Sequence, residues 1–370
     1  MIINSDSVLL YQIALTLIPG IGDINAKRLV AYCGSVEAVF TEKKRALLRI
    51  PGIGEATVNS LVSHNAFPRA EQEVKFIEKY GIQHYFFLDQ AYPARLKQCV
   101  DSPLMLYYKG NADLNQQRIV SVVGTRRATD YGRRMCQELI EGLSSLGVLI
   151  TSGLAYGIDT AAHKAALDLG LSTVAVLGHG LDRIYPQLNK PLAGRIVHQG
   201  GLLTEFLSET NPDRENFPKR NRIVAGIADA TIVIEAGVRG GALITADIAN
   251  SYNRDVFAVP GRIGDEFSEG CNNLIRTNRA ALVQTAADVK YIMNWDITAT
   301  ASAAAQRELF ISLTHEEESL LSVLKQLGDC GIDTLCQETQ LMPTKVASAL
   351  LNLEFEGIVK CLPGKVFRLL

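Results

Sequence analysis

The chain has 370 residues, which is too long for one ordinary domain and suits two or three. Apolar residues make up 47% and charged residues 21%, so a complete hydrophobic core can form and global disorder is excluded. The 37 Lys and Arg are balanced by 39 Asp and Glu, giving a net charge of −2. This balance excludes a uniformly basic nucleic-acid binder but leaves room for a local basic site.

The cysteines and the apolar runs indicate the cellular compartment of the protein. Seven cysteines are scattered along the chain and never spaced CxxC, which favours reduced thiols over a disulfide framework or a zinc site. No apolar run is long enough for a transmembrane helix, and the N-terminal residues do not resemble a signal peptide. We therefore expect a cytoplasmic protein with no membrane contact, no metal and no other cofactor.

The N-terminal region contains an internal repeat. The segments PGIGDINAKRL and PGIGEATVNSL start at Pro19 and Pro51, and each follows a helical apolar pattern. Pro-Gly breaks a helix, and a new helix starts within a few residues, so the repeat resembles a pair of helix-hairpin-helix units. In such units backbone N–H groups face a DNA phosphate. Two interpretations stay open: contact with DNA, or a helical scaffold that touches none.

The middle of the chain alternates strands with helices. Six short apolar runs are predicted strands, at residues 118–124, 148–153, 172–178, 201–206, 230–236 and 255–261. Amphipathic stretches between them predict helices. Continuous Val, Ile and Leu strands separated by helices are typical of a parallel sheet covered on both faces. Ligands of such sheets bind at the carboxyl ends of the strands.

The first of these strand ends carries an anion site. Gly124, Thr125, Arg126 and Arg127 follow the strand and precede a helix. Glycine lets the backbone approach a ligand closely, the hydroxyl and guanidinium groups donate hydrogen bonds, and the helix N-terminus adds partial positive charge. Residues 118–134 hold five basic groups and one acidic group, which is a local charge of +4.

Two further glycine-rich turns and a basic helix start extend this site. Ser152, Gly153, Ala155, Tyr156 and Gly157 follow the second strand, and Gly240, Gly241 and Thr245 follow the fifth. Several adjacent helix N-termini suit a polyanion better than one small phosphate.

The basic helix start spans residues 215–222. Lys219, Arg220, Asn221 and Arg222 lie in its first turns, where cations oppose the helix dipole unless an anion is bound. Phe217 beside them is suited to stack on an unpaired base.

The C-terminal region differs in composition. Residues 291–313 are predicted to be a linker, and residues 314–370 give three helices and a hairpin, an order that resembles a winged helix. This region has a net charge of −3, and its third helix holds one Lys and two Glu. Because groove-reading helices usually carry Arg, Lys, Asn or Gln, we expect a protein-contact or regulatory role rather than duplex reading. Lys360, Lys365 and Arg368 keep DNA backbone contact open as the alternative.

The motifs of the middle region occur in a specific order. GTRRATDYG, SGLAYGIDTAAHKAAL, AVLGHGLDRIYP, ENFPKRNRIVAGIAD and GGALITADIAN are followed by VFAVPG and NNLIR. This series resembles the DNA processing protein A (DprA/Smf) family. The resemblance implies an α/β, Rossmann-like, doubly wound and mostly parallel sheet with helical and winged-helix domains on either side. The predicted limits are 1–66 for a helix-hairpin-helix (SAM-like) domain, 67–290 for the extended Rossmann-like core, 291–313 for the linker and 314–370 for the winged helix.

The resemblance also implies a function. Members of this family bind single-stranded DNA in natural transformation (competence) and recombination, protect incoming strands, load RecA recombinase on them, act as homodimers and are not enzymes. The residues expected to contact DNA are Gly124, Thr125, Arg126, Arg127, Ser152, Gly153, Ala155, Tyr156, Gly157, Phe217, Lys219, Arg220, Asn221, Arg222, Gly240, Gly241 and Thr245. Tyr156 stands where the family usually has Arg, which removes a phosphate contact or replaces it with a stacking ring.

A nucleotide-processing enzyme of the lysine-decarboxylase-like (LOG) group is the alternative. Those enzymes carry PGGxGTxxE with a catalytic Glu, whereas residues 240–247 here contain no Glu. Asp159, Asp182 and Glu235 are expected to anchor turns rather than to act as acids or bases. His163 is expected to be a helix residue without a ligand, and His179 to line the site.

Overall fold

The structure is a computed structural model that describes residues 5–295, 314–355, 358–362 and 366–369. The chain divides into two compact units, Met1–Asp296 and Ile297–Leu370, which are described separately. Within the described residues no helix is both long and apolar enough to cross a lipid bilayer.

The first unit begins with a group of helices that enclose their own apolar cluster. The helices are α1 (Ser5–Thr16), α2 (Asp23–Cys33), α3 (Val36–Thr41), α4 (Lys44–Leu47), α5 (Glu55–Val62) and α6 (Phe67–Tyr80). The two Pro-Gly repeats form the breaks before α2 and α5, where Gly20 and Gly52 have φ angles of +79° and +81°. Ile13, Leu29 and Val58 lie at the centre of the cluster. We call α1–α6 the helical region. Helix α6 begins at residue 67, the first residue predicted for the core, but it packs on α1.

A mixed sheet follows the helical region. Its strands are β1 (Gln83–Phe86), β2 (Met105–Gly110), β3 (Ile119–Val123), β4 (Leu149–Ser152), β5 (Thr173–Val176), β6 (Gly200–Thr204), β7 (Ala230–Val233), β8 (Asp255–Ala258) and β9 (Ala281–Leu282). In the described residues the strand order is β1-β2-β6-β5-β4-β3-β7-β8-β9. The six predicted strands are β3 to β8, and they pair in parallel as expected. The antiparallel edge made by β1 and β2 is an addition that the sequence patterns did not indicate.

Helices cover both faces of the sheet. They are α7 (Ala94–Lys97), α8 (Asp130–Leu143), α9 (Ile158–Asp168), α10 (Lys190–His198), α11 (Asn216–Ile227), α12 (Gly241–Ser251), α13 (Glu269–Arg276) and α14 (Ala286–Ile292). Side chains alternate along each strand, so Val120 and Val122 pack under α8, α9 and α14, while Ile119 and Val123 pack under α11, α12 and α13. This arrangement confirms the doubly wound α/β core.

The helical region is fastened to the sheet by polar contacts. Lys27 Nζ donates hydrogen bonds of 2.6 and 2.7 Å to the carbonyl and hydroxyl oxygens of Ser102. Asp23 accepts the backbone N–H of Leu104 at 2.7 Å. The buried carboxylate of Glu73 on α6 accepts the backbone N–H of Ser208 at 2.9 Å. The hairpin between α1 and α2 therefore lies against the sheet.

The second unit has the order predicted for a winged helix. Its elements are α15 (His315–Leu327), β10 (Cys330–Gly331), α16 (Ile332–Thr339), α17 (Pro343–Phe355), β11 (Val359–Leu362) and β12 (Val366–Leu369), with sheet order β10-β12-β11. Thr314 and Glu317 form a capping box at the start of α15. Leu320, Leu335 and Leu350 meet in the core of this unit. The short strand β10 was not predicted.

The predicted linker starts inside ordered structure. Helix α14 continues to Ile292. Trp295 packs partly buried against the core, and its backbone N–H donates to the Lys290 carbonyl at 2.8 Å. The small-residue composition that indicates a linker begins only after Trp295. Residues 296–313 of the predicted linker lie outside the described residues.

Candidate nucleic-acid interface

A cavity of about 1160 Å³ lies at the carboxyl ends of the parallel strands. The loops after β3, β4 and β7 and the start of α11 form its walls, so the structure brings together segments that are far apart in sequence. The predicted residues that line it are Gly124, Thr125, Arg126, Gly153, Ala155, Phe217, Arg220, Asn221, Gly240, Gly241 and Thr245.

The other predicted residues have different places. Ser152 is buried and donates its hydroxyl to the Val122 carbonyl at 2.6 Å. Arg127 lies over the ring of Phe267, with 5.3 Å from its guanidinium carbon to the ring centroid. Tyr156 is 44% exposed and outside the lining, as is Gly157 beside it. Lys219 and Arg222 line a second cavity of about 450 Å³ between the helical region and the loop after β6.

Arg126 and Phe217 form an aromatic and cationic pair at the cavity wall. The Arg126 guanidinium carbon lies 5.6 Å from the Phe217 ring centroid, and Tyr185 packs on the same ring at 5.9 Å between centroids. A base and its phosphate need a flat apolar surface beside a cation. The pair supplies both.

Gly157 holds the first two turns together. The Ile158 N–H donates to the Thr125 carbonyl at 3.1 Å. Gly157 has a φ of +78°, and a Cβ there would lie 2.2 Å from the same carbonyl oxygen. Gly157 therefore does not line the cavity; it allows the backbones of the two turns to pack closely beneath Arg126.

Arg220 forms the floor of the cavity instead of projecting into it. Its side chain is only 5% exposed, and Nη1 donates to the Val176 carbonyl at 2.6 Å. Among the described residues, its Nε has no hydrogen-bond partner and no carboxylate lies within 4.0 Å of its guanidinium. Burial lowers the pKa of Arg220, and burial raises the pKa of the nearby Asp159. Gly153 lies directly above, so an anion at this turn meets a buried cation through low-dielectric surroundings.

The neighbouring carboxylates are engaged in structural hydrogen bonds. Glu235, 3% exposed, accepts the backbone N–H of Thr129 at 3.0 Å and also its hydroxyl, at the start of α8. Asp159 accepts the Ala155 N–H at 3.3 Å, and Asp182 accepts the Glu209 N–H at 2.9 Å. These contacts confirm the prediction that the three carboxylates anchor turns.

The two histidines near the strand ends are buried. Burial lowers the pKa of His163 to about 3, and its Nδ1 pairs with the Thr173 hydroxyl at 2.7 Å. His179 does not line the cavity, because its ring is turned inward against Gly180 and Tyr185. In the described ranges no group of three His, Cys, Asp or Glu is placed to hold a metal ion.

Some lining residues were missed by the sequence reasoning. Arg214 and Arg239 add two cations from loops, Tyr185 adds an aromatic ring, and Glu266 and Glu269 add acidic groups. Arg239 lies within the glycine-rich turn and could have been found from its charge. Glu266 comes from the loop after β8 and Glu269 from the start of α13, and no local sequence pattern indicates that this segment reaches the cavity.

Two basic residues in the described part of the winged-helix unit are paired with carboxylates. Lys345 pairs with Glu316 at 3.1 Å, and Arg368 pairs with Asp329 at 2.5 Å. The outer face of α17 exposes Leu351 and Phe355. These pairings weaken the alternative of DNA backbone contact through Arg368.

Comparison with known proteins places the chain in a family. The model for DNA recombination-mediator protein A matches residues 83–294, that for the DprA winged helix domain residues 301–365, and that for a SAM-like helix-hairpin-helix tandem residues 13–64. Protein Smf of Synechocystis sp. is 31% identical over 393 aligned residues, covering 96% of this chain and 97% of that protein. DNA processing protein DprA of Streptococcus pneumoniae is 45% identical over 205 residues, covering 55% of this chain and 72% of the other.

Solved structures agree with this placement. The X-ray structure of DNA processing protein A from Streptococcus pneumoniae has a TM-score of 0.66 and 35% identity, covering 79% of this chain and 98% of that one. A structure from Helicobacter pylori, described by its single-stranded DNA binding mode, has a TM-score of 0.53 and 27% identity, covering 59% of this chain and 97% of that one. The chain therefore belongs to the DNA recombination-mediator protein A (DprA/Smf) family.

Proposed function

We propose that this protein binds single-stranded DNA in the cavity at the carboxyl ends of the parallel strands and acts there as a recombination mediator. The observation that carries the proposal is the pairing of Arg126 with Phe217 above the buried cation Arg220. The relative from Helicobacter pylori, whose structure is described by its single-stranded DNA binding mode, supports the same ligand class.

The chemistry of the cavity favours contact with the DNA backbone over base-specific recognition. The glycine-rich turn at 240–241 offers main-chain N–H groups, which carry no formal charge. Stacking on Phe217 accepts any base, because every base has a π face. We therefore expect binding with little sequence preference, and a nearly neutral protein is compatible with it.

Arg126→Ala tests the site directly. Loss of one phosphate contact on a single strand should weaken binding for all sequences and reduce the slope of log K against log salt by about 0.7. Fluorescence anisotropy with a labelled oligothymidine over a salt series measures both. Arg133→Ala is the matched control, since Arg133 is exposed, pairs with Asp130 at 2.7 Å and lies outside the cavity lining. Equal affinity and slope for wild type and Arg126→Ala would reject the site.

The finer function is proposed on the family membership. We infer that the protein protects incoming single strands and loads RecA on them during natural transformation, and that it acts as a homodimer. Nuclease digestion and a gel shift of single-stranded against duplex DNA, each with and without RecA, test the first inference. Light scattering tests the second, and a monomer at micromolar and higher concentrations with and without DNA would contradict it.

We propose in addition that the site binds without turnover. Asp159, which lines the cavity, and Glu235, which is buried at the start of α8, already accept backbone hydrogen bonds. Release of ribose 5-phosphate from nucleoside monophosphates, lost in Glu235→Gln or Asp159→Asn, would instead establish the LOG-like hydrolase.

A further inference from the structure

Helix α11 presents different side chains to two sides. Phe217, Arg220 and Asn221 line the large cavity, whereas Arg222 lines the small cavity beside the helical region. Two residues along a helix correspond to a rotation of about 200°. Arg222 therefore lies on the side of α11 that faces away from the proposed DNA site.

Arg222 donates three hydrogen bonds where it lies. Its Nη1 donates to the Asp101 carbonyl at 2.6 Å, and its Nη2 donates to Asp23 at 3.1 Å and to Glu205. Only 12% of its side chain is exposed. Asp23 belongs to α2 of the helical region, and its other oxygen accepts the Leu104 N–H at 2.7 Å. One guanidinium thus joins α11, the strand-end residue Glu205 and the first hairpin of the helical region.

We propose that Arg222 is a positioning residue that ties the helical region to α11, and that it supports DNA binding by orienting α11 rather than by touching DNA. The proposal rests on the proposed function of the large cavity. It replaces the expectation, taken from the basic cluster in the sequence, that Arg222 contacts phosphate. The planar guanidinium suits this role because it makes several hydrogen bonds in fixed directions, which a lysine cannot reproduce.

Contact and positioning predict different salt dependences. Removing a phosphate contact lowers the salt slope, whereas misorienting α11 weakens binding with the slope unchanged. Arg222→Met should weaken binding of oligothymidine about fivefold or more at constant slope. Arg222→Lys should behave like Arg222→Met. Lysine can replace arginine in a phosphate contact, but it cannot make the three hydrogen bonds that join α11 to Asp101, Glu205 and Asp23. Lys219→Met is the matched comparison, since Lys219 is exposed about one turn earlier on the same helix.

Two variants test the tie from the partner side. If Arg222 bound phosphate, Glu205→Gln would free its guanidinium and tighten DNA binding. Weaker binding with an unchanged salt slope supports positioning instead. The measurement should be made at pH 8 so that Glu205 is ionised in the wild type, because burial raises the pKa of Glu205 to about 7. Asp23→Asn alters the partner of Arg222 in the helical region, away from the large cavity, and should also weaken DNA binding. Hydrogen exchange of the full chain should show faster exchange in α2 for each variant.

The outcomes separate this proposal from the function on which it rests. A lower salt slope in Arg222→Met, restored in Arg222→Lys, would overturn the positioning role, as would tighter binding by Glu205→Gln. The proposal would also be overturned if Arg222→Met bound DNA with wild-type affinity while α2 exchanged faster. The contacts of Arg222 would then be lost without any effect on DNA binding. If Arg126→Ala leaves DNA binding unchanged, the proposed function fails, while faster exchange in α2 still reports the tie.

Discussion

Replacement of Gly157 by alanine should destabilise the first unit and displace Arg126. Gly157 has φ +78° and ψ −123°, a conformation that costs an L-residue about 1–3 kcal/mol. The added Cβ would lie 2.2 Å from the Thr125 carbonyl oxygen and 2.8 Å from the Arg126 Cα, and such overpacking against backbone costs about 1–3 kcal/mol more. We expect a loss of about 3 kcal/mol or more in the free energy of unfolding, together with weaker DNA binding.

Urea denaturation followed by tryptophan fluorescence measures this change. Trp295 is the single tryptophan of the chain and packs against the core of the first unit, so its signal reports that unit. Gly241→Ala is the matched control, because Gly241 lies in another glycine-rich turn of the site and the nearest atom to its added Cβ is Asn221 Nδ2 at 3.8 Å. The control should lie within about 0.5 kcal/mol of wild type. A Gly157→Ala variant as stable as the control would refute this role of Gly157.

Two further predictions concern buried polar groups. Glu235→Gln should lower the free energy of unfolding by roughly 1–2 kcal/mol, because one of the two hydrogen bonds between Glu235 and Thr129 is lost. Glu138→Gln on the exposed side of α8 is the control and should be nearly neutral in the same urea experiment. Burial depresses the pKa of His163 to about 3, so its contribution to stability is present above about pH 6.5 and lost as pH falls, by about 3 kcal/mol between pH 6.5 and 4. His163→Gln should show a flatter stability profile over this range, and a profile parallel to wild type would contradict the assignment.

Local patterns were sufficient to predict the sheet where the chain is regular. Runs such as residues 118–124 and 230–236 are continuous in Val and Ile, and both became parallel strands in the centre of the sheet. β1 and β2 were missed because their aromatic and polar residues, such as His84 and Tyr107, give no continuous aliphatic run. The position of β2 is set by pairing with β6, a contact between residues far apart in sequence, and β1 pairs in turn with β2.

The candidate site was predicted in part for a similar reason. Glycine and arginine at strand ends identify the turns, since topology brings those ends together. Which side of a helix a charged residue faces depends on what packs against it. Arg220 and Arg222 belong to one basic cluster in the sequence, yet one is buried under Gly153 and the other is paired with Asp23 and Glu205. The partners come from distant segments, so composition alone cannot distinguish their roles.

Hydrogen exchange of the full chain with and without a short oligothymidine tests the central claim most directly. Binding in the large cavity predicts slower exchange in the segments 124–127, 153–157 and 237–241 and at the start of α11, because these segments carry its lining residues. Arg126→Ala should reduce this protection at the same DNA concentration. Protection confined to the helical region or the winged-helix unit, with none in these turns, would contradict the account.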